Sequence, residues 1–184
     1  MSGSRPGCRR SSWRRLVGTV PPFSELIAAT TRTAVHLEIR DAYTPDDPAF
    51  LEWRAGGPAA APAGAAWYDL VREHTARGME FRRARIVSEP LADYIRFEYE
   101  STAFNVAAGE QVRWLPRHAA PGLLVPLADF WLFDDRLVRF GFFAGDGTFL
   151  RHDLCDEPEV VRSCAEAFEQ VWQRAIPHGE YRPA

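Results

Sequence analysis

The sequence of 184 residues contains no lysine, because all 22 of its basic residues are arginines. A Schiff base on a side-chain amine, the lysine of a P-loop phosphate site and a lysine-assisted phosphodiesterase centre all require the missing side chain. These three kinds of catalytic site are therefore excluded for this chain.

Long apolar runs and paired cysteines are also missing. No run approaches the roughly 20 apolar residues that a membrane-spanning helix needs, and no apolar segment of a secretory signal follows the basic start. The three cysteines Cys8, Cys155 and Cys164 form no Cys-x-x-Cys pair. These features predict a cytoplasmic protein with reduced thiols, no membrane contact, no metal site and no cofactor.

The composition that remains is typical of a soluble globular domain, with 46% hydrophobic and 12% aromatic residues. Residues 1–15 carry five arginines and no acid, so removing them from the net charge of −3 leaves −8. We predict a disordered basic leader over residues 1–20, with a nucleic-acid or membrane-surface arm as the alternative, and a single α/β domain over residues 21–184. The acidic domain body does not favour direct binding of nucleic acid.

Apolar and polar residues alternate over residues 34–40, which predicts a half-buried strand. Residues 129–134, DFWLFD, predict a strand that is apolar on both faces. From residue 67 the predicted order is helix, strand, helix, strand, strand, two hairpin strands and a last amphipathic helix with Asp156 as its cap. This order predicts an α/β (α+β) fold, a mixed sheet flanked by helices.

The segment Ser88-Glu89-Pro90 stands where a predicted strand turns into a helix over residues 91–104. The Ser88 hydroxyl can cap that helix, and Pro90 fits its first turn. The alternative is that Ser88 and Glu89 belong to a site.

Glu98 falls in the middle of the apolar arc of the same helix, at 100° per residue. A buried carboxylate is unfavourable unless it is paired or protonated. We therefore expect either a buried pair between Glu98 and an arginine or a pocket that Glu98 lines.

Ligands of open α/β sheets bind beyond the carboxyl ends of parallel strands, and small-molecule pockets combine aromatic walls with a few polar groups. Glu89 and Glu98 are the candidate catalytic residues, because raised pKa values at such positions support acid–base chemistry. The candidate ligand-binding residues are Glu38, Arg40, Tyr43, Ser88, Glu89, Tyr94, Arg96, Glu98, Asp129, Trp131 and Asp134.

From about residue 23 the chain resembles an uncharacterised actinobacterial family, one of the domains of unknown function. The resemblance is carried by the segments TAVHLEIRDAY, RIVSEPLADYIRFE, AGEQVRWLP, DFWLFDD and EPEVV. It implies a small cytoplasmic protein, often encoded beside helix-turn-helix regulators.

The segments GEQVRWLP, DFWLFDDRLV and FEQVWQRAIP are also similar to the C-terminal half of phospholipase D-like domains, particularly non-catalytic ones attached to transcriptional regulators. Active members need a His-x-Lys pair just before the second segment, and LLVPLADFWLFDD contains none. The resemblance implies the fold of that family without its reaction.

These observations favour a non-enzymatic regulatory or ligand-binding domain that acts with a helix-turn-helix transcriptional regulator. The alternative is a hydrolase or transferase that uses carboxylates or arginines on a phosphorylated or nucleotide-linked small molecule. A homodimer in which each chain supplies one half of a phospholipase D-like fold is a further expectation.

Overall fold

A seven-stranded mixed sheet forms the centre of the computed structural model, which describes residues 20–59 and 64–184. In chain order the strands are β1 (Thr33–Glu38), β2 (Glu80–Val87), β3 (Gln111–Pro116), β4 (Asp129–Phe133), β5 (Leu137–Phe143), β6 (Phe149–Cys155) and β7 (Ile176–Pro177). Their order across the sheet is β6-β5-β4-β1-β2-β3-β7. The strands β1, β2 and β3 are parallel to one another, and the other neighbours are antiparallel. The predicted α/β class with a mixed sheet is confirmed.

Helices cover both faces of this sheet. They are α1 (Phe23–Ala28), α2 (Pro48–Arg54), α3 (Gly64–Ala76), α4 (Asp93–Ala107) and α5 (Pro158–Arg174), and a 3-10 turn follows β3 at Arg117–Ala119. Within the described ranges, no helix combines the length and the apolar character needed to cross a bilayer.

The helix α5 packs on one face of the sheet and makes that face an apolar core. Its buried stripe includes Cys164, Phe168 and Val171, which contact residues such as Leu37 and Leu132 of the central strands. This helix therefore has the structural role that its regular apolar spacing predicts.

The opposite face has two apolar clusters with a polar centre between them. One cluster lies under α1 and α3, and the other lies under α2 and α4. The register of β1 with β2 pairs His36 with Arg83 and Glu38 with Arg85. Because residues two apart in a strand share a face, these four polar side chains project together from the middle of the sheet.

Two predicted helix caps are wrong. The first residue of α4 is Asp93, and its N-cap is Ala92, because the chain runs irregularly from Ser88 to that point. The N-cap of α5 is Glu157 rather than Asp156, and its side chain makes no capping hydrogen bond. Short β7, which pairs with β3 directly after α5, was not predicted.

Some predictions fall outside the described residues. They concern residues 1–19 of the basic leader, including Cys8, and residues 60–63 of the loop rich in proline and alanine.

Candidate functional site

Five buried side chains of alternating charge cross the polar centre of the sheet, and we call them the charge ladder: Glu110, Arg83, Glu38, Arg85 and Glu98. Arg83 donates from Nε to Glu110 Oε1 at 2.7 Å and from Nη1 to Glu38 Oε1 at 2.5 Å. Arg85 donates from Nε to Glu38 Oε2 and from Nη2 to Glu98 Oε1 at 3.0 Å. Each guanidinium is thus held between two carboxylates, which offsets the loss of hydration of all five groups.

Helix α4 contributes Glu98 to the ladder and contacts the ladder through Thr102 and Asn105. Glu98, Thr102 and Asn105 lie on one face of this helix, since they are four and three residues apart. Thr102 Oγ1 accepts from Arg85 Nη1 at 2.7 Å, and Asn105 Nδ2 donates to Glu110 Oε2 at 2.6 Å. The predicted pair between Glu98 and a buried arginine is therefore present.

The two carboxyl groups bound to Arg85 differ in their pKa. Burial alone raises the pKa of Glu38, but Arg85 and Arg83 outweigh it and hold that pKa well below its ordinary value. Burial raises the pKa of Glu98 to about 7, because Arg85 offsets burial only in part and the charge of Glu38 adds to it. The raised pKa lets Glu98 keep a proton at a higher pH than an exposed glutamate does.

A cavity of about 330 Å³ lies against the ladder, and we call it the aromatic cavity. Its volume is within the range of small-molecule pockets. Four aromatic residues line it, Phe23, Trp67, Tyr68 and Trp131, together with His36, Arg83, Arg85, Glu98, Ser101, Asn105 and Arg139.

Besides His36, whose Nδ1 lies 3.1 Å from Glu38 Oε1, three residues on the wall of the aromatic cavity each have a buried polar atom without a hydrogen-bond partner in the described part of the chain. These atoms are Glu98 Oε2, Tyr68 Oη and Arg139 Nε. Native proteins hydrogen-bond nearly all their buried polar groups, and leaving one unpaired costs about 1–3 kcal/mol. These three side chains bring an acidic group, a hydroxyl and a cation to the wall of the cavity.

A smaller cavity of about 130 Å³ adjoins the first and shares His36, Trp131 and Arg139 with it. The rings of His36 and Trp131 are stacked with centroids 4.2 Å apart. Asp129 and Tyr43 also line the smaller cavity. Burial raises the pKa of Asp129 to about 7, although Asp129 Oδ1 accepts from the backbone N–H of Ile39 at 2.7 Å.

Five of the predicted ligand-binding residues are brought together at the two cavities. Glu98 lines the aromatic cavity, and Trp131 lines both. The other three, Glu38, Tyr43 and Asp129, line the smaller cavity.

Ser88 and Glu89 lie apart from both cavities, at the carboxyl ends of the parallel strands. Ser88 donates from N and Oγ to the carboxylate of Asp41, at 2.7 Å each. Glu89 Oε1 accepts from Tyr181 Oη at 2.6 Å. This corner is a set of internal hydrogen bonds that joins loops and the C-terminal segment.

The remaining predicted residues have structural contacts or face solvent. Arg40 donates to the carbonyl of Ala144 at 2.7 Å, and Tyr94 packs against Phe50 with ring centroids 5.0 Å apart. The carboxylate of Asp134 accepts from three successive backbone N–H groups, those of residues 31, 32 and 33. Arg96 is exposed on α4.

The sequence interpretation missed the two arginines of the ladder, although a signal for them was present. Arg83 and Arg85 are two residues apart in FRRARIV and share one face of β2, as His36 and Glu38 do in β1. Arg139 gave no comparable signal, because a single arginine in a strand is usually solvated.

Within residues 20–59 and 64–184, no three histidine, cysteine or acidic side chains are grouped to hold a metal ion.

A family model matches residues 21–183, which is nearly the whole of the described chain. The chain belongs to the family described as Domain of unknown function (DUF6879). None of the curated proteins matches the sequence of this DUF6879 domain.

Two solved structures are similar to the DUF6879 domain at low identity. Nuc from Salmonella typhimurium, a phospholipase D family member, is 11% identical with a TM-score of 0.47, over 86% of this chain and 88% of that one. TrmBL2, an archaeal chromatin protein, is 12% identical with a TM-score of 0.46, over 83% of this chain and 47% of that one. At this distance neither structure assigns a residue role or an activity to the DUF6879 domain.

Proposed function

We propose that the DUF6879 domain binds a small molecule in the aromatic cavity. The observation that supports this most strongly is the set of three unpartnered buried polar atoms on the wall of one cavity, those of Glu98, Tyr68 and Arg139. A ligand that bonds to them provides hydrogen-bond partners that the described residues do not supply.

The walls indicate the general shape of the ligand. Trp67 and Trp131 meet edge to face with ring centroids 5.7 Å apart, and Phe23 packs against both of them. Flat aromatic ligands gain both apolar burial and ring contacts against such walls. The ligand thus combines a planar ring with polar groups at its rim.

The charge ladder holds the polar end of the cavity in place. Glu98 is fixed through Oε1 by Arg85, and Arg85 is fixed in turn by Glu38 and Thr102. A polar group that is held this way loses little conformational entropy on binding, which favours affinity and specificity.

Calorimetric titration of the full chain with naphthalene derivatives tests this proposal. We expect at least one of naphthalenemethanol, naphthaleneacetate and naphthyl phosphate to bind with one-to-one stoichiometry. Trp67→Leu should weaken binding about tenfold, since one ring contact and its apolar burial are lost. Trp53→Leu is the matched control, because Trp53 is also a partly buried tryptophan on a helix but lies outside the cavity. The proposal is wrong if no probe binds, or if Trp67→Leu and Trp53→Leu have the same effect.

A regulatory role with a helix-turn-helix partner is the context that we propose for this binding. Its support is the resemblance of the segments quoted above to a family encoded beside such regulators. Co-purification of the chain with an adjacently encoded helix-turn-helix protein is the expected result, and elution of both as separate species would count against it. The cytoplasmic location, the actinobacterial origin and the homodimer stay predictions from the sequence.

An enzyme is the second candidate, favoured by the pKa values of Glu98 and Asp129, which burial raises to about 7. Groups that titrate near the working pH are suited to general acid–base catalysis. The test is release of fluorescent naphthol from naphthyl phosphate, which Glu98→Gln should abolish and Glu89→Gln should preserve. Absence of naphthol above the buffer rate would reject phosphomonoester hydrolysis.

A further inference from the structure

We infer that the ligand of the aromatic cavity is an anion and that Arg139 binds its negatively charged group. This inference rests on the proposed function, and it names both the chemical class of the ligand and a residue that recognises it.

Arg139 is the arginine of the site without a carboxylate partner. Arg83 is paired with Glu38 and Glu110, and Arg85 is paired with Glu38 and Glu98. Within the described ranges, Arg139 forms no ion pair with any carboxylate, and its Nε has no hydrogen-bond partner. Its positive charge is therefore available on the cavity wall, whereas the charges of the other two arginines are already balanced.

The groups that do contact Arg139 are neutral. Its Nη2 lies 3.1 Å from His152 Nδ1, and its guanidinium stands over the ring of Phe23 at 5.1 Å from the centroid. A guanidinium only donates, so Nδ1 of His152 accepts and that ring is uncharged. Burial also lowers the pKa of His152 to about 4, with the charge of Arg139 as a further cause.

Two glutamates share a cavity wall with Arg139, and both are bound to the other arginines: Glu38 to Arg83 and Arg85, and Glu98 to Arg85. His36 lines both cavities beside Arg139, and burial keeps its pKa well below the ordinary value, so its ring is neutral at physiological pH. Asp129 shares the smaller cavity with Arg139 and forms no ion pair with it within the described residues; its Oδ1 accepts from the backbone N–H of Ile39, and its buried Oδ2 has no hydrogen-bond partner there. Burial also lowers the pKa of Arg139 itself, in line with a cation that has lost water without gaining an anion.

An anionic group of the ligand would give Arg139 the negatively charged partner that the described residues do not provide. The guanidinium is a planar fork that binds carboxylate and phosphate oxygens through two parallel hydrogen bonds, and the unpartnered Nε is one of its donors. Arg139 also lies beside the aromatic walls, since Phe23 contacts both Arg139 and Trp67. One molecule with a flat ring and a carboxylate or phosphate can therefore contact both features.

A charge series on one ring system tests the inference with the full chain. Naphthaleneacetate, naphthyl phosphate and naphthalenemethanol, substituted at the same ring position, differ mainly in the charge of their polar group. We expect the wild-type chain to bind at least one of the two anions about tenfold more tightly than the alcohol. Preference for the acetate indicates a carboxylate ligand, and preference for the phosphate ester indicates a phosphorylated one.

Arg139→Gln should remove this preference, because the loss of the positive charge weakens binding of the anions more than binding of the alcohol. Arg136→Gln is the matched control, since Arg136 is an exposed arginine in the turn before β5 and lines neither cavity. Arg136→Gln should leave all three affinities unchanged.

The outcomes separate this inference from the proposed function. Equal binding of the alcohol and the anions, or an unchanged preference in Arg139→Gln, overturns the inference while the cavity remains a binding site. Absence of binding by all three probes overturns both. The series on the wild-type chain needs no variant, so it decides the question even if Arg139→Gln fails to fold.

Discussion

Replacing Glu98 with glutamine removes the ionisable group at one end of the charge ladder and preserves its shape. In the folded protein, burial and the neighbouring charge of Glu38 raise the pKa of Glu98 from 4.5 to about 7. Between these values the folded state retains a proton that the unfolded state has released. The contribution of Glu98 to stability is therefore complete below about pH 4.5 and is lost as the pH rises through about 7.

The size of this effect follows from the two pKa values. Each pKa unit corresponds to about 1.4 kcal/mol, so a difference of about 2.5 corresponds to roughly 3 kcal/mol of unfolding free energy. Glutamine cannot ionise, so residue 98 of the variant makes no pH-dependent contribution to the free energy of unfolding between these pKa values. The free energy of unfolding of Glu98→Gln minus that of the wild type should therefore rise by roughly 3 kcal/mol between pH 4.5 and pH 8.

The difference between the two proteins is more informative than either pH profile alone. Burial lowers the pKa of His36, His152 and His178, so both proteins gain stability from these groups as the pH rises through the acid range. Burial raises the pKa of Asp129 and acts in the opposite direction. The histidine contributions are shared by the wild type and the variant, so they cancel in the difference. The charge of Asp129 also raises the pKa of Glu98, so the contribution of Asp129 cancels only in part.

Urea unfolding followed by circular dichroism at five pH values between 4.5 and 8 measures this difference. Glu166→Gln is the control, because Glu166 is an exposed residue in a surface pair with Arg162 and should change stability by at most about 1 kcal/mol at any pH. A difference between Glu98→Gln and the wild type that is the same at every pH would refute the reasoning. Glu98 would then be ionised throughout, with Arg85 outweighing its burial.

Two further predictions concern the ladder and the first strand. Glu38→Gln should lower the free energy of unfolding by about 3–5 kcal/mol, since two buried guanidiniums lose a shared carboxylate. Its control is Glu159→Gln in an exposed ion pair, which should lower the free energy of unfolding by at most about 1 kcal/mol. Equal losses for the two variants in urea unfolding would contradict this prediction. Asp134→Ala should cost about 2 kcal/mol, because three backbone N–H groups before and at the start of β1 lose their acceptor. Asp135→Ala, at the exposed next position, is its control, and a melting temperature that falls equally in both variants would count against the role of Asp134.

Glu98 shows how far the sequence leads toward the site. Its place in an apolar arc predicts either a buried arginine partner or a pocket, and both are present, because Oε1 binds Arg85 while Oε2 lies unpartnered on a cavity wall. The sequence predicts Ser88 and Glu89 at the carboxyl ends of parallel strands, and they lie there. Their hydrogen bonds, however, are to Asp41 and Tyr181. The usual position of ligands in open α/β sheets predicts where Ser88 and Glu89 lie. It does not predict whether they bind a ligand or hydrogen-bond neighbouring loops.

Local periodicity fixes which residues share a face, before any tertiary contact forms. Alternation puts His36 with Glu38 and Arg83 with Arg85, and the helical period puts Glu98 in line with Thr102 and Asn105. The absence of lysine likewise decided which chemistry is excluded, whatever the fold.

Which of these faces meet depends on the pairing of strands across the sheet. Pairing places Arg83 beside His36, His36 beside Trp131 and Trp131 beside Arg139, so that one row of side chains crosses four strands. These residues are far apart in the chain, and strand pairing depends on the packing of the whole sheet rather than on any local pattern. The arginine left without a carboxylate in that row is therefore a property of the fold, and it is the feature from which we infer the charge of the ligand.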